Sequence, residues 1–366
     1  MPKIHHKKTL ALGMLLALVA GSAAGIVASV RVQRSLEEYA ASLFTSRSPA
    51  VPDGRMTRAT PTSYEGALER VRTTAAKSVA AILPLSLDAR TASSWVTEDD
   101  ATGYGVVVST DGWVLVAKDT LASFANPLRQ AEVWIDGVRY TPTKIVADTL
   151  SDAVLLHVDA NGLSPAGFGA SKDVVNGAVL YIASGTQSLM VTSLVNGRFV
   201  NGAPVLPAEM YVTSWSVATN PEKSSPVFDA AGEVLAMSEK TAAFPMHTAT
   251  AFVNDVLRTG GVQYAGLGAY VVDLSLPLNV DDALRQGKHE GALLTTAPLY
   301  KSPASNDLLA GDIIVSVGDV RIDATTSLSD ILRSYEPGQS AIFSVLRSGE
   351  IRNTTVTLGD YESLLY

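Results

Sequence analysis

Few side chains in this chain of 366 residues could act as a base or a nucleophile near neutral pH. There is no cysteine, which excludes cysteine nucleophiles, disulfides and thiolate-bound metals. The five histidines are His5, His6, His157, His247 and His289. His157 lies within a predicted strand, where a histidine is far more often packed than catalytic. The others lie before an apolar N-terminal run, in a loop and in a later module, so no imidazole is an obvious partner for a serine.

Four segments between residues 64 and 258 follow one another in an ordered series. They are GYGVVVSTDGWVLVA, SDAVLLHV, GAVLYIASGTQSLMVTSLVNGR and TNPEKSSPVFDAAGEVLAMS. In this order and at this spacing they resemble the HtrA family of trypsin-like serine proteases, which fold as two six-stranded β-barrels with the active site between them. The resemblance covers nearly all of residues 64–258 and implies a mainly β, trypsin-like double barrel there.

The resemblance places the catalytic triad at Asp119, Asp152 and Ser224, with Ser225 as the alternative register for the serine. In the segment GWVLVAKDTLAS, Asp119 stands where the family has its histidine base. A carboxyl group has an ordinary pKa near ~3.9, against ~6.5 for imidazole, so it cannot hold a serine proton near neutral pH. Asp152 matches the triad acid but has no imidazole to orient.

The loop before the serine also departs from the family. Counting from the preceding Asn-Pro pair places the serine at Ser224, whereas counting back from Pro226 arrives at Lys223, so the loop is one residue short. Glu222 replaces a glycine that helps to shape the oxyanion hole, and a carboxylate there disfavours the negative charge of the transition state. Glu222 and Lys223 are therefore predicted to form a degenerate oxyanion loop.

These departures predict a pseudoprotease, which keeps the protease fold without its chemistry. One alternative is an active serine endopeptidase with a non-standard base, for which the sequence offers His157 or a Ser–Lys dyad through Lys118 or Lys223. Both lysines are expected to be solvated at the surface. Another alternative is an oligomeric scaffold, because HtrA relatives often form trimers.

Residues 262–358 carry a second resemblance. The strings GALLTTAPLYKSPASNDLLAGDIIVSVGDVRI and GQSAIFSVLRSGEIRNTTVTL are similar to an HtrA-type PDZ domain, an α/β module that binds C-terminal peptides by strand addition. The resemblance assigns peptide binding to Tyr264, Ala265, Gly266 and Leu267 in the carboxylate loop, and to Leu328, Ile331 and Leu332 on one helical face. For the last three, a position in the domain core is an equal alternative. We expect a groove able to bind C-terminal or unfolded peptides.

The elements that must position these residues are mostly short strands. Runs of β-branched and aromatic residues separated by turn signals predict an antiparallel β architecture over residues 78–258. Helices are predicted over YEGALERVRTTAAK, before the first strand, and over TSLSDILRSY, where the sequence EPG ends the helix. Gly260 and Gly261 mark the boundary between the two modules, residues 64–258 and 262–358.

Residues 9–30 contain no charged side chain and would span roughly 33 Å as a helix, about the thickness of a bilayer core. The lysines of residues 1–8 outweigh the two arginines on the far flank. This asymmetry predicts a single-pass anchor in the bacterial inner membrane, with a cytoplasmic tail at residues 1–8 and the bulk outside the cytoplasm. A cleaved signal peptide is the alternative. Residues 31–63 are predicted to be a stalk and linker.

Charge and composition limit the classes of molecule that the chain is expected to bind. The net charge of −8 and the lack of a basic stripe argue against nucleic acid. Asp119, Asp152 and Glu222 have no metal-site spacing, so neither a metal nor another cofactor is expected. The predicted partners are C-terminal or unfolded peptides, the membrane and further copies of the chain. The predicted role is extracytoplasmic protein quality control or regulation of a partner protease.

Overall fold

The computed structural model describes residues 63–85, 97–186, 188–199, 205–210, 214–240, 242–276 and 280–364. All of them belong to one compact unit, Ser63–Tyr366. Within these ranges no helix is long and apolar enough to cross a bilayer. The predicted tail, transmembrane helix, stalk and linker lie outside the described residues, apart from Ser63.

The first element is helix α1 (Tyr64–Ser78), which confirms the helix predicted there. Ser63 caps it, because its hydroxyl accepts a hydrogen bond of 3.1 Å from a first-turn amide. Ala67, Val71 and Ala75, spaced four residues apart, form its buried face. This face packs the helix against the β-sheet core that follows.

A seven-stranded antiparallel sheet follows, with strand order β5-β4-β1-β2-β3-β7-β6. Its strands are β1 (Val79–Pro84), β2 (Gly103–Val107), β3 (Trp113–Ala117), β4 (Ala131–Ile135), β5 (Val138–Tyr140), β6 (Pro142–Ala147) and β7 (Ala153–Val158). Two short helices, α2 (Lys118–Leu121) and α3 (Pro127–Gln130), and the 3-10 helix Glu98–Asp100 lie between strands. Strands β2 and β3 are buried along their whole length, because neighbouring elements cover both faces.

The second β unit is a closed barrel with strand order β11-β14-β13-β12-β8-β9. The strands of this part of the chain are β8 (Val179–Ala183), β9 (Leu189–Phe199), β10 (Leu206–Pro207), β11 (Ser214–Val217), β12 (Ser225–Phe228), β13 (Val234–Ser238) and β14 (Ala243–Pro245). The 3-10 helix Ser171–Asp173 precedes the barrel, and the 3-10 helix Ala208–Met210 follows β10. Helix α4 (Met246–Thr259) closes this part and ends at Gly260, whose φ of 81° is left-handed.

One hydrophobic core joins α1, the seven-stranded sheet, the barrel and α4. Its buried members come from all of these elements, and the large ones include Tyr104, Trp113, Phe228, Phe244 and Phe252. Full burial of a side chain of this size contributes about 1.5–3 kcal/mol relative to exposure. The shared core therefore holds the two β units together and fixes the residues at their junction.

A third, mixed unit follows, with sheet order β10-β16-β17-β18-β20-β21 and with β19 paired to β18. Its strands are β15 (Ala265–Gly266), β16 (Tyr270–Asp273), β17 (Ala292–Leu294), β18 (Ile313–Val317), β19 (Val320–Arg321), β20 (Ser340–Arg347), β21 (Glu350–Thr357) and β22 (Gly359–Asp360). Its helices are α5 (Asp282–Arg285), α6 (Leu328–Leu332) and the 3-10 helix Glu362–Leu364. Strand β10 comes from the preceding part of the chain, yet it forms the edge of this sheet.

Two details differ from the predicted architecture. The first β unit is an open sheet of seven strands rather than a closed barrel of six, and Asp136 and Gly137, with φ of 49° and 76°, form the tight turn that adds the short strand β5. The helix predicted over TSLSDILRSY is only Leu328–Leu332, since Ser327 and Asp330 form a capping box that starts it late.

Candidate functional site

Asp119 and Asp152 lie at the same end of the paired strands β3 and β7. Ala117 pairs with Ala153, so the residues that flank this pair are brought together. The Lys118 amide donates a 2.8 Å hydrogen bond to the Asp152 carbonyl. Lys118 Nζ lies 3.9 Å from Asp152 Oδ1, and both side chains are more than half exposed. Such a surface ion pair contributes little to stability. It does pair Lys118 with Asp152, the carboxylate predicted to be the triad acid.

Glu239 is a third carboxylate at this site, and it was not predicted from the sequence. It directly follows the buried strand β13 and is half-buried. Burial, together with the negative charges of Asp152 and Asp119, raises its pKa to about 7 against the opposing effect of Lys118. No local pattern identifies it, because strand β13 ends in Ser238 and the raised pKa of Glu239 depends on that strand ending beside the first β unit.

Ser224 directly precedes strand β12. Ser225 pairs with Ser238 across β12 and β13, so Ser224 and Glu239 are the residues next in line at the same end of both strands. The side chain of Ser224 is almost fully enclosed, with 3% of the residue exposed, and its carbonyl accepts a 2.8 Å hydrogen bond from the Tyr104 amide. The structure therefore places Ser224 next to Glu239, which forms a carboxylate cluster with Asp119 and Asp152. Ser224 itself has little contact with solvent.

Ser225, the alternative serine, is occupied by structural hydrogen bonds. It is fully buried, and its hydroxyl donates to the Lys223 carbonyl at 2.9 Å. Its amide donates to the Ser238 hydroxyl at 3.0 Å, and that hydroxyl donates back to the Ser225 carbonyl at 2.9 Å. Because these bonds fix both ends of the residue in the β12–β13 pairing, Ser224 is the better match to a nucleophile position.

The predicted oxyanion loop is held by its lysine. Lys223 Nζ donates to the carbonyls of Glu98 and Asp99, at 3.2 and 2.7 Å, so the expectation of a solvated surface lysine is wrong for this residue. The Glu98 carboxylate in turn accepts a 2.8 Å hydrogen bond from the Thr186 amide. The 3-10 helix Glu98–Asp100 is thereby hydrogen-bonded on one side to the loop of Glu222, Lys223 and Ser224, which we call the serine loop, and on the other side to the barrel. Glu222 itself is exposed.

The hydroxyl of Tyr104 completes these contacts. It donates a 3.0 Å hydrogen bond to the Glu98 carbonyl. Burial, together with the negative charges of Glu98 and Asp99, raises the pKa of Tyr104 to about 12. The tyrosine is therefore neutral at ordinary pH and acts here as a hydrogen-bond donor rather than as a base.

The described histidines contact other groups. His157 is at the far end of β7, roughly 15 Å along the strand from Asp152. Its ring lies 5.0 Å from that of Trp113, and its Nδ1 is hydrogen-bonded to the Thr143 hydroxyl at 2.8 Å. His247 Nδ1 lies 2.9 Å from the Ser171 hydroxyl, and His289 lies in the third unit. Among the described residues, no group of three metal-ligating side chains is placed to hold an ion.

The predicted carboxylate loop divides into two parts. Tyr264 is buried, and its hydroxyl donates a 2.7 Å hydrogen bond to Asp148 Oδ1 in the first β unit. Ala265 and Gly266 form β15 and pair with Asp360 and Gly359 of β22. These three residues build the support of the loop.

The donors of the loop are the amides of Leu267 and Gly268, which lie next to each other as a carboxylate-binding site requires. Both donate to one oxygen of Glu209, at 2.5 and 3.1 Å. Gly268 has a φ of 71°, a left-handed conformation that turns its amide toward the same acceptor as the Leu267 amide. Neither Gly268 nor Glu209 was predicted from the sequence, and Glu209 lies 58 residues from Leu267 along the chain.

The helical residues predicted to bind peptide all lie on α6. Leu328, Ile331 and Leu332 are buried in the core of the third unit, together with Ala208. They therefore serve the domain core and also line the space between α6 and β16, which we call the peptide groove. This groove contains residues 205–210, which we call the inserted segment.

The comparisons with known proteins agree with these units. Residues 103–237 match the family of trypsin-like peptidase domains, and residues 288–358 match the PDZ domain family. A probable periplasmic serine endoprotease, DegP-like, from Halomonas elongata is 28% identical over 274 residues, covering 71% of this chain and 56% of its own. The similar protein from Hahella chejuensis is 28% identical over 283 residues, covering 72% and 58%. The chain thus spans a little over half the length of these curated relatives.

Solved structures share the fold. The HtrA-type protease AlgW with a tripeptide has a TM-score of 0.57 at 23% identity, over 81% of this chain and 97% of that chain. The AlgW structure with a decapeptide has a TM-score of 0.54 at 22% identity, over 81% and 98%. These similarities confirm the predicted fold class of the described part, a mainly β trypsin-like domain followed by a PDZ domain.

Proposed function

We propose that this chain, which belongs to the HtrA family and carries one PDZ domain, is a pseudoprotease that binds C-terminal peptides outside the cytoplasm. Its trypsin-like domain acts as a support for the PDZ domain rather than as a peptidase. The DegP-like relatives are named as periplasmic, which supports an extracytoplasmic position for the bulk of the chain. Residues 9–30 then serve as the inner-membrane anchor.

One observation is the main support for the proposed loss of catalysis. The site that should contain an imidazole contains Asp119, within a cluster with Asp152 and Glu239. A serine protease stabilises a developing oxyanion with hydrogen-bond donors, and a cluster of carboxylates has the opposite effect. Repulsion among them already contributes to the raised pKa of Glu239, so a further negative charge beside them is disfavoured.

The serine loop supports the same conclusion. Ser224 is almost fully enclosed, while a nucleophile must reach the carbonyl of a substrate. The lysine beside it, Lys223, donates to two backbone carbonyls and so has no role as a partner base in the present arrangement. Lys118, the cation that lowers the pKa of Glu239, is paired with Asp152 at the surface. No Ser–Lys dyad is formed by these contacts.

In this proposal the function of the chain is peptide binding by its PDZ domain. The AlgW structures are described with a tripeptide and with a decapeptide, and they share this chain's fold. The adjacent amides of Leu267 and Gly268 converge on one carboxylate oxygen, which is the arrangement that receives a C-terminal carboxylate. We propose that the ligands are unfolded or C-terminal segments, and that the chain acts in protein quality control or regulates a partner protease. Homo-oligomers, trimers by family resemblance, are part of this proposal.

A second candidate is an endopeptidase with Glu239 as its base. A pKa of about 7 suits a general base near neutral pH, and Glu239 directly follows the residue paired with Ser225. This candidate requires the serine loop to open, because Ser224 is enclosed in the present arrangement.

One experiment separates the two candidates. The full chain in detergent is treated with a fluorophosphonate probe and, separately, with unfolded casein, beside trypsin as a positive control. We expect neither labelling nor cleavage by the chain. Labelling that disappears in Ser224→Ala but persists in Ser225→Ala would overturn the pseudoprotease proposal. Cleavage lost in Glu239→Gln would identify the base.

A further inference from the structure

We infer that the inserted segment, residues 205–210, is an intramolecular ligand of the peptide groove, and that a C-terminal peptide binds only by displacing it. The inference rests on the proposed peptide-binding function and adds its regulation. It follows from the placement of Ala208 and Glu209 between β16, α6 and the loop amides of Leu267 and Gly268.

The segment enters the groove with the polarity of a peptide ligand. Leu206 pairs with Val271 and Pro207 with Tyr270, antiparallel to β16. The Ala208 amide then donates a 2.8 Å hydrogen bond to the Ala269 carbonyl. Without β10, β16 is the edge strand of this sheet. The inserted segment therefore takes the position of an added strand and approaches the loop with its C-terminal end.

Glu209 takes the place of a terminal carboxylate. Its side chain is 2% exposed and accepts from both loop amides, while the chain itself continues to Met210. A segment within a chain has no free carboxylate, so a glutamate side chain is the group that can satisfy these donors. The occupied position is the one that an external peptide needs.

Ala208 fills the apolar part of the groove. It is fully buried and packs in one cluster with Leu267, Leu328 and Ile331. These are residues that the sequence analysis predicted to contact a peptide. An external peptide and Ala208 cannot occupy this space together.

The groove has little freedom to widen around both ligands. Arg333, at the end of α6, donates to the carbonyls of Thr248 and Leu150. Asp330 of the same helix lies 3.4 Å from Lys172 Nζ. Because these contacts fix α6 to the trypsin-like domain, displacement of the inserted segment is the way to open the groove.

The segment is bound weakly enough to be displaced. Its ladder with β16 is only two residues long, and Pro207 has no amide to donate. Burial raises the pKa of Glu209 in spite of its amide donors, so its ionised form is held at a cost in desolvation. A peptide with a true terminal carboxylate and more strand hydrogen bonds can therefore compete.

The test measures peptide affinity of the full chain by fluorescence anisotropy. The probe is a labelled octapeptide, NGAPVLPA (residues 201–208), with a free C-terminal carboxylate, beside the same peptide with a C-terminal amide. Glu209→Gln weakens the carboxylate contact, and Ala208→Arg introduces a side chain too large and too polar to be buried. Glu65→Gln, an exposed glutamate in the first turn of α1, is the matched control.

We expect both groove variants to bind the carboxylate probe about 10- to 100-fold more tightly than the unaltered chain and Glu65→Gln, because apparent affinity scales with the open fraction of the groove. The amide probe should bind weakly to all. Hydrogen exchange at the amides of Ala208 and Gly268 shows directly whether the inserted segment is in the groove. In the unaltered chain, saturating carboxylate probe should remove the protection of the Ala208 amide. If Glu209→Gln fails to fold, Ala208→Arg decides.

Two other results distinguish failure of this inference from failure of the peptide-binding function. Equal affinity of the carboxylate probe for the unaltered chain and both groove variants would overturn the inference while leaving the peptide-binding function intact. If the amide of residue 208 loses its protection in both groove variants and no protein binds the probe, the peptide-binding function itself is overturned, and the regulation proposed here with it.

Discussion

The Tyr264 hydroxyl donates a 2.7 Å hydrogen bond to Oδ1 of Asp148, which links the start of the PDZ carboxylate loop to the trypsin-like domain. Both residues are buried, and burial, together with the charge of Asp148, raises the pKa of Tyr264. The same carboxylate also accepts from the Leu150 amide at 3.1 Å. The position of the peptide loop is thus coupled to the first β unit through one buried carboxylate.

Tyr264→Phe should destabilise the chain. The change leaves a buried carboxylate oxygen with one donor fewer, which costs about 1–3 kcal/mol. Urea unfolding followed by tryptophan fluorescence measures the difference. Tyr300→Phe is the control, because Tyr300 is 88% exposed and its change should be neutral. Equal stability of the two variants would show that the link between the domains lies elsewhere.

Glu239 should make stability fall as pH rises. Its pKa in the folded chain is about 7, above its ordinary value of 4.5, so the folded state holds a proton that the unfolded state releases. The contribution of Glu239 to stability is then greatest below pH 4.5, decreases up to pH 7 and stays low above it. Glu239→Gln should remove this loss and be more stable than the unaltered chain at pH 8, by on the order of 1 kcal/mol after screening by solvent.

The measurement is urea unfolding between pH 5 and 8. Glu222→Gln is the matched control, since Glu222 is an exposed glutamate in the nearby serine loop. A Glu239→Gln variant whose stability changes with pH as steeply as that of the unaltered chain would contradict the assignment of this titration to Glu239.

Asp119→His should not restore peptidase activity. The substitution supplies an imidazole, but Ser224 remains enclosed, and Lys223 still fixes the serine loop to the 3-10 helix Glu98–Asp100. We expect no fluorophosphonate labelling of the variant above the background of the unaltered chain. Labelling at Ser224 after this single change would mean that the loss of catalysis is confined to one position.

Gly105→Ala should destabilise the first β unit. A Cβ at this position would lie 2.6 Å from Val116 Cγ1 and 2.7 Å from the Leu115 carbonyl oxygen on the neighbouring strand. Because a backbone atom cannot move aside cheaply, we expect a loss of about 1–3 kcal/mol in the free energy of unfolding. Gly261→Ala meets nothing within 4 Å and should be neutral. A neutral Gly105→Ala would show that β2 and β3 can separate locally.

Some positions of the candidate site could be predicted because they depend on local order. Asp119 and Asp152 each flank a strand, and any antiparallel pairing of those two strands brings them to one end. Glu239 could not be identified in this way, since its raised pKa depends on the barrel strand β13 ending beside the first β unit. The hydrogen bonds of Lys223 likewise depend on the 3-10 helix at Glu98, 125 residues away in the chain.

The amino-acid sequence by itself predicted the trypsin-like and PDZ domains, helix α1, an aspartate at the position that matches the triad histidine, and the residues around the peptide groove. These features can be recognised from residues that are close together in the sequence, so they do not require knowledge of which distant segments come into contact. Only the tertiary structure showed that residues 205–210 pair with β16 and that Glu209 accepts from the loop amides. Glu209 and Leu267 are 58 residues apart, and nothing local links a glutamate after β10 to two amides after β15. Their contact exists because β10 leaves the barrel and joins the edge of the PDZ sheet, where unpaired strand groups and buried amides need partners.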